Sequence, residues 1–211
     1  MPYLFTRSIR VSGSLLDSMS WSARITEKVN QIAEIQVSLW TPVMSPQINT
    51  LTWTSVVTDL AALTATDEKL MADSGYLDLV AEGAQFNAGS GVDDQLIQYV
   101  HADRDGAETA QYATTVRAVL APGSFREGIA LGVEIAQRAK AISGRPTSFG
   151  TAATGVYGEV GWITLYDSIE QVQAAEEAIN SNEDFLELLD TKANKAYLPG
   201  EAKQLISRKV M

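Results

Sequence analysis

WTSVVTDLAALTATDEKLMADSGYLDLV, residues 53–80, decides the fold, because the chain repeats this stretch at residues 162–189 as WITLYDSIEQVQAAEEAINSNEDFLELL. The two stretches align without a gap, and Trp53 meets Trp162 at an offset of 109 residues. The further identical pairs are Ala65 with Ala174, Glu68 with Glu177, Leu77 with Leu186 and Leu79 with Leu188. A repeat of about 100 residues has the size of a small domain, so the sequence predicts two similar halves.

The composition is that of an ordinary globular protein. Of the 211 residues, 45% are hydrophobic and 20% are charged, and the formal net charge of -10 disfavours nucleic acid and anionic membranes as partners. No run approaches ~18 apolar residues, so we expect no membrane-spanning helix. The sequence has no cysteine, which excludes disulfides and thiolate metal sites. The start MPYLFTRSIRV does not resemble a secretory signal, and we expect a cytoplasmic protein.

Each half reads as strand, helix, strand, strand, helix, strand. The predicted strands are residues 3–11, 35–41, 51–57 and 94–101 in the first half and residues 111–120, 147–154, 160–166 and 203–210 in the second. A serine, Ser14 or Ser124, is expected to cap the first helix of each half. We therefore predict a first repeat at residues 1–103, a polar linker at residues 104–107 and a second repeat at residues 108–211.

The order βαββαβ is that of the ferredoxin-like unit, whose sheet carries helices on one face only. The bare faces of two such units can cover each other. We therefore predict an α+β fold in which two tandem ferredoxin-like βαββαβ repeats pack sheet to sheet, as an intramolecular dimeric α/β barrel. The offset between the halves changes from 110 to 109 residues, which indicates that the second half lacks one residue between its first helix and its third strand.

Three features of the halves are shared with a known superfamily. They are a third strand that carries a tryptophan, a helix that starts at Asp167-Ser168, and a short acidic helix at residues 182–185. In these features the chain resembles the dimeric α/β-barrel superfamily, which includes antibiotic-biosynthesis-type monooxygenases, stress-responsive barrel proteins, NIPSNAP-like proteins, chlorite dismutases and haem-degrading monooxygenases. The resemblance implies an intramolecular version of the usual dimer, and it assigns no activity.

Strand alternation predicts which side chains face the helices and which face the space between the sheets. In the third strand of the second half, Ile163 and Leu165 suit the helix-facing positions. With this alternation, we expect Trp162 and Tyr166, and Trp53 in the first half, to face the interior. The interior is therefore expected to be rich in aromatic side chains.

Two arginines join the aromatic residues in the predicted ligand-binding set. Arg7 falls on Arg117 at an offset of 110 residues, and both side chains are expected to point inward or toward the barrel rim. Such a set would stack an aromatic ligand and hold an anionic group by bidentate hydrogen bonds. The candidate ligand-binding residues are Arg7, Arg117, Trp53, Trp162, Tyr99 and Tyr166. The alternative is structural, with aromatic rings that fill the sheet interface and arginines that pair with carboxylates.

His101 is the one histidine of the chain and ends the last strand of the first half. Its uniqueness makes it the candidate catalytic residue, as a general base, or a haem ligand. The alternative is a solvent-exposed or hydrogen-bonded histidine at a strand end. Haem-degrading members and chlorite dismutases of the superfamily hold haem through a histidine on a helix, and residues 59–72 and their copy contain none. We expect no haem, no other cofactor and no metal site.

Two functions remain open from the sequence. The first is a small-molecule-binding barrel, an enzyme of the cofactor-independent monooxygenase type or a related isomerase or cyclase, that acts on an aromatic or anionic metabolite. The alternative is a non-enzymatic structural or assembly protein that forms homo-oligomers through edge strands or helices. The presence of a ligand site, or of higher assembly, separates the two.

Overall fold

The structure of this protein is a computed structural model, which describes residues 1–33, 35–45 and 48–211 apart from the side chain of Ser90. Its strands are β1 (Tyr3–Val11), β2 (Val37–Val43), β3 (Thr50–Val57), β4 (Asn87–His101), β5 (Tyr112–Val119), β6 (Thr147–Ala152), β7 (Glu159–Tyr166) and β8 (Lys203–Lys209). Its longer helices are α1 (Leu15–Ile32), α2 (Leu60–Met71), α3 (Ser74–Gly83), α4 (Phe125–Ser143), α5 (Ile169–Asn180) and α6 (Glu183–Leu188). In the described part of the chain, no helix combines the length and hydrophobicity that a membrane crossing requires.

The strands form a closed antiparallel barrel in the hydrogen-bonded order β1-β3-β2-β8-β5-β7-β6-β4. The predicted α+β class and the barrel are therefore confirmed, whereas the tandem ferredoxin-like origin of the halves stays a prediction. A closed barrel leaves none of the described strands at a free edge, so the expected oligomerisation through edge strands loses its basis. Oligomerisation through the helices stays a prediction.

The chain divides into two compact units. Unit 1 comprises Met1–Leu96 and Arg208–Met211, and unit 2 comprises Ile97–Ser207. The repeat boundaries predicted at residues 1–103, 104–107 and 108–211 describe the sequence copies and stay predictions.

Unit 1 packs one face of β1, β2 and β3 against its helices. Trp21 and Ile25 of α1 lie in a buried cluster with Leu39 of β2 and Leu51 of β3. Gly83 ends α3 directly against the indole ring of Trp21, and a Cβ at this position would overlap the ring. The close approach of α3 to α1 therefore requires glycine there.

Unit 2 builds an equivalent core on one face of β5, β6 and β7. Leu131 and Ile135 of α4 pack with Phe149 of β6 and Val160 of β7. Gly132 of α4 lies so close to the Phe149 ring that a Cβ would overlap it. As in unit 1, a glycine on a helix makes room for an aromatic ring in the core.

The helix caps follow the sequence in part. Ser14 caps α1, and its Oγ accepts a hydrogen bond from the backbone N–H of Asp17 at 3.3 Å, as predicted. Ser124 occupies the N-cap position of α4, but its side chain makes no capping bond. Its hydroxyl instead donates to the carbonyl of Lys195 at 3.4 Å.

The predicted phase of the third strands is wrong, because their tryptophans face the helices. The Trp53 Nε1–H donates to Thr26 Oγ1 of α1 at 2.8 Å, and the Trp162 Nε1–H donates to the Gly132 carbonyl of α4 at 2.8 Å. A buried indole needs both a large apolar surface and an acceptor for its N–H. The helix side supplies both, and Ile163 and Leu165 consequently lie on the opposite face of β7.

The strand register also corrects the predicted match between the two arginines. Arg7 pairs with Trp53, whereas Val116 pairs with Trp162 and Arg117 pairs with Gly161. With Trp53 matched to Trp162, Arg7 corresponds to Val116. The two arginines are therefore out of phase by one residue and point to opposite faces of their strands.

Strand β4 begins seven residues earlier than predicted, at Asn87 instead of residue 94. Gly89 and Gly91 adopt positive φ angles of 78° and 76° within it. The Asn87 side chain accepts from the Gly89 N–H at 3.1 Å and donates to the Gly91 carbonyl at 3.3 Å. Glycine tolerates these angles, so the strand continues through a segment that resembles a turn in sequence.

Candidate functional site

The strands of each unit have a second face, opposite the one that packs against its helices, and we call it the helix-free face. In unit 2 one cross-strand row on this face contains Tyr99 of β4, Gly150 of β6, Gly161 of β7 and Arg117 of β5, each paired with the next. Directly paired residues project to the same side of a sheet. Two glycines therefore separate a phenol from a guanidinium.

Arg117 is incompletely paired. Its Nη1 lies 3.4 Å from Oε1 of Glu159, and 38% of its side chain is exposed. Its Nε is buried and has no hydrogen-bond acceptor among the described residues. An unpaired buried donor costs free energy, and a guanidinium can offer two parallel N–H groups to one carboxylate. Arg117 thus retains the capacity to bind an anion.

Gly161 is buried but leaves room for a Cβ beside Arg117. A Cβ built on Gly161 would meet the backbone carbonyl of Val116 at 3.6 Å, and apart from its chain neighbours no other described atom lies within 4 Å of it. Gly150 has a different role, because a Cβ there would lie 2.6 Å from Cγ2 of Ile97 and 2.8 Å from the Gln98 carbonyl oxygen. Gly150 lets β4 and β6 approach each other, and Gly161 places no side chain next to the guanidinium.

Tyr99 is at the other end of the row and is 5% exposed. Burial raises the pKa of its phenol, and the nearby Arg104 partly opposes this shift. Because a higher pKa favours the protonated form, the phenol is neutral and can donate a hydrogen bond.

The guanidinium of Arg7 is paired with a carboxylate within unit 1. Its Nε and Nη2 donate to Oδ1 and Oδ2 of Asp94 at 2.8 and 2.7 Å, and its guanidinium lies 5.6 Å from the Phe5 ring centroid. The hydrogen bonds that Arg7 donates to Asp94 raise the pKa of Arg7. Arg7 shares the face of Trp53, which packs against α1, so it does not point inward as predicted.

The remaining aromatic candidates hold helices to strands. The Trp162 ring lies 5.2 Å from the Phe149 ring and 5.4 Å from the Tyr197 ring. Tyr166 is 1% exposed, packs with residues of α5, and has its hydroxyl 3.4 Å from Thr114 Oγ1. Burial raises the pKa of Tyr166. Trp53, Trp162 and Tyr166 thus lie on helix-packed faces, and their role in ligand binding stays a prediction that this placement does not favour.

His101 lies apart from the row. A β-bulge after Tyr99 shifts the register, and His101 pairs with Phe149 instead of continuing the alternation. Phe149 faces α4, so the bulge places His101 on the helix-packed side of unit 2. Its predicted role as a general base stays a prediction that this placement does not favour.

Three residues of the site were not predicted from the sequence: Glu159, Gly150 and Gly161. The available signal was a glycine inside a predicted strand, which marks a close backbone approach or a ligand. Gly161 carries this signal inside the segment 160–166. Glu159 precedes that segment, and only the pairing of β5 with β7 brings it to Arg117.

Comparison with known proteins identifies the fold. Neither a protein-family model nor a curated protein matches this sequence. A candidate monooxygenase from Fusobacterium nucleatum superposes with a TM-score of 0.72 at 12% identity, over 100% of this chain and 93% of the other. An anthrone oxidase-like protein gives 0.66 at 13% identity, over 99% and 92%. A candidate chlorite dismutase gives 0.60 at 11% identity, over 100% and 95%. This chain has the dimeric α/β-barrel fold.

The dimeric α/β-barrel superfamily includes haem proteins, but the residues of this barrel do not fit a haem held by a histidine on a helix. The one histidine of the chain is His101, which lies in β4. Neither α2 nor α5 therefore offers an imidazole to iron. In the described part of the chain, no group of three or more histidine or carboxylate side chains is placed to hold a metal ion.

Proposed function

We propose that this protein is a monooxygenase-type barrel that binds a small aromatic molecule with an acidic or anionic group on the helix-free face of unit 2. Arg117 would hold the anionic group, and Tyr99 would donate a hydrogen bond to its far end. The observation that carries the proposal is the incompletely paired guanidinium of Arg117, beside which Gly161 places no side chain.

The size of the row supports a ligand of two or three rings. Four adjacent strands separate the backbones of Tyr99 and Arg117 by three spacings, which is roughly 14 Å. A flat molecule suits a surface with no side chain at Gly161.

The enzymatic part of the proposal is cofactor-independent oxygenation, with dioxygen as the oxidant. Such a reaction begins with a substrate anion, and a fixed guanidinium stabilises negative charge as it develops. Proteins of the same fold are described as monooxygenases and as anthrone oxidase-like, which is consistent with this class of chemistry. Their low sequence identity shows the fold alone, so the reaction rests on Arg117 and its surroundings.

A binding experiment tests the role of Arg117. Isothermal titration of the full chain with 2-naphthoate should show binding, and Arg117→Gln should weaken it roughly 10- to 100-fold, because a hydrogen bond to a charged group is worth about 1.5–3 kcal/mol. The neutral 2-naphthamide should bind both proteins with similar affinity.

Arg7→Gln is the matched control, since Arg7 lies on the helix-packed face and is paired with Asp94. It should leave the affinity for 2-naphthoate unchanged. Equal losses in Arg7→Gln and Arg117→Gln, or no binding by the unmodified chain, would rule out the proposed site. Oxygen-electrode measurements with hydroxylated naphthalenes then test the oxygenase activity.

A further inference from the structure

We infer that Glu159 is the proton acceptor of this site, and that the group it selects is an enolisable 1,3-dicarbonyl. This inference rests on the proposed function and names its substrate class. It follows from the chemistry of the Arg117–Glu159 pair and goes beyond the binding of an anion.

The pair presents a donor and an acceptor side by side. Nη1 of Arg117 and Oε1 of Glu159 are 3.4 Å apart, which is long for a charge-assisted hydrogen bond. The enol of a 1,3-dicarbonyl presents the complementary arrangement, a hydroxyl and a carbonyl oxygen held about 2.5–3.0 Å apart. Its hydroxyl can donate to Glu159 while its carbonyl accepts from Arg117. A carboxylate ligand has no hydroxyl for Glu159.

Charge also favours a neutral enol over a carboxylate. Glu159 has only 13% of its side chain exposed, so its charge is weakly screened by water. A ligand carboxylate at Arg117 would bring a second negative charge next to Glu159, and neighbouring carboxylates disfavour each other's ionised forms. A neutral enol adds no charge when it enters. The site is therefore expected to bind a permanent anion such as 2-naphthoate less tightly than a weak acid that enters neutral.

The proton moves from the ligand to Glu159, and atoms and charge balance in this step. The O–H bond of the enol breaks, its electron pair stays on the ligand as the enolate, and the proton forms a new O–H bond at Glu159 Oε1. Arg117 then faces the ligand enolate in place of the Glu159 carboxylate. The total charge of ligand, Arg117 and Glu159 is the same before and after the step, so the transfer moves a negative charge without creating one.

The test uses benzoylacetone, an aromatic 1,3-diketone whose enol and enolate have different ultraviolet spectra. With the full chain, the bound ligand should show the enolate spectrum at a pH where free benzoylacetone is neutral. Glu159→Gln keeps a polar side chain beside Arg117 but cannot take the proton, so the bound ligand should show the enol spectrum. Glu159→Asp should restore part of the enolate signal.

Glu177→Gln on α5 is the matched control, because Glu177 is exposed and bonds to Gln173 on the same helix. It should give the same enolate signal as the unmodified chain. 2,2-Dimethyl-1-phenylbutane-1,3-dione, which cannot form the enol, should bind at least tenfold more weakly than benzoylacetone. Circular dichroism of each variant checks that it is folded.

The outcomes separate this inference from the proposed function. If benzoylacetone binds only as the enol, or if Glu159→Gln gives the same enolate signal as the unmodified chain, the inference is overturned while Arg117-dependent binding of 2-naphthoate still stands. If 2-naphthoate and benzoylacetone both fail to bind, the proposed function and the inference are both overturned.

Discussion

The helix-packed faces of the two units carry similar side chains at matched positions, whereas their helix-free faces carry different ones. Matched positions on three adjacent strands are Ser8, Thr52 and Trp40 in unit 1 and Arg117, Gly161 and Gly150 in unit 2. In unit 1 the row consists of two small hydroxyl side chains and one large indole. In unit 2 the arginine is the one large side chain of the row, and the other two positions are glycines. As a result, neither of these two positions places a side chain beside Arg117.

The contacts within unit 1 satisfy its row internally. Ser8 and Thr52 share a hydrogen bond of 2.9 Å, and the Trp40 Nε1–H donates to Thr54 Oγ1 at 3.0 Å. Lys209 lies 6.0 Å from the Trp40 ring centroid. The corresponding row of unit 2 has an incompletely paired guanidinium instead. One strand framework thus supports a paired surface in one unit and a surface with binding capacity in the other.

The largest expected effect tests whether the helix-packed faces are equivalent. Leu39 and Phe149 occupy matched positions in β2 and β6, and each is 0% exposed. Phe149→Ala should lower the free energy of unfolding by about 3–5 kcal/mol and Leu39→Ala by about 2–5 kcal/mol, measured by urea denaturation. A loss below about 1 kcal/mol in either variant would contradict a shared core design.

A smaller effect concerns Gly161 itself. Gly161→Leu should fill the room beside Arg117 and weaken 2-naphthoate binding at least tenfold. Because Gly161 is buried, the larger side chain should also lower the free energy of unfolding by about 1–3 kcal/mol. Thr52→Leu alters the matched position of unit 1 and should leave the affinity unchanged. Titration and urea denaturation of both variants measure these quantities. An unchanged affinity, or a loss of stability above about 3 kcal/mol in Gly161→Leu, would contradict the presence of room beside Arg117.

The strands and helices were largely predictable from the sequence. Which side chains of the third strands face the helices was not. In β7 both alternating sets contain apolar residues, Val160 and Trp162 on one side and Ile163 and Leu165 on the other. Alternation alone therefore cannot choose the buried side. The choice depends on acceptors for the indole N–H groups, Thr26 Oγ1 in one unit and the Gly132 carbonyl in the other, and these are tertiary contacts.

The candidate site was predictable only in part. Arg117 and Tyr99 were selected from the sequence and lie in one row, whereas the match of Arg7 with Arg117 was wrong. The N-cap positions of Ser14 and Ser124 are 110 residues apart, while the paired strands before them are offset by 109. One extra residue between β5 and α4 explains the error, since the offset of 110 residues taken near the caps does not hold in β1 and β5.

The smallest expected effect examines the hydroxyls of unit 1. Thr52→Val keeps the shape of the side chain and removes the hydrogen bond to Ser8, so it should lower the free energy of unfolding by about 0.5–1.5 kcal/mol. Because Ser8 is half-buried and water can replace the lost partner, we expect the lower part of this range. The double variant Ser8→Ala with Thr52→Val should lose less than the sum of the single variants, since the two hydroxyls satisfy each other. Urea denaturation measures the stabilities, and the affinity of Thr52→Val for 2-naphthoate should equal that of the unmodified chain. A weakened affinity would show that the ligand also depends on the helix-free face of unit 1, and the contrast between a paired and a binding surface would then no longer hold.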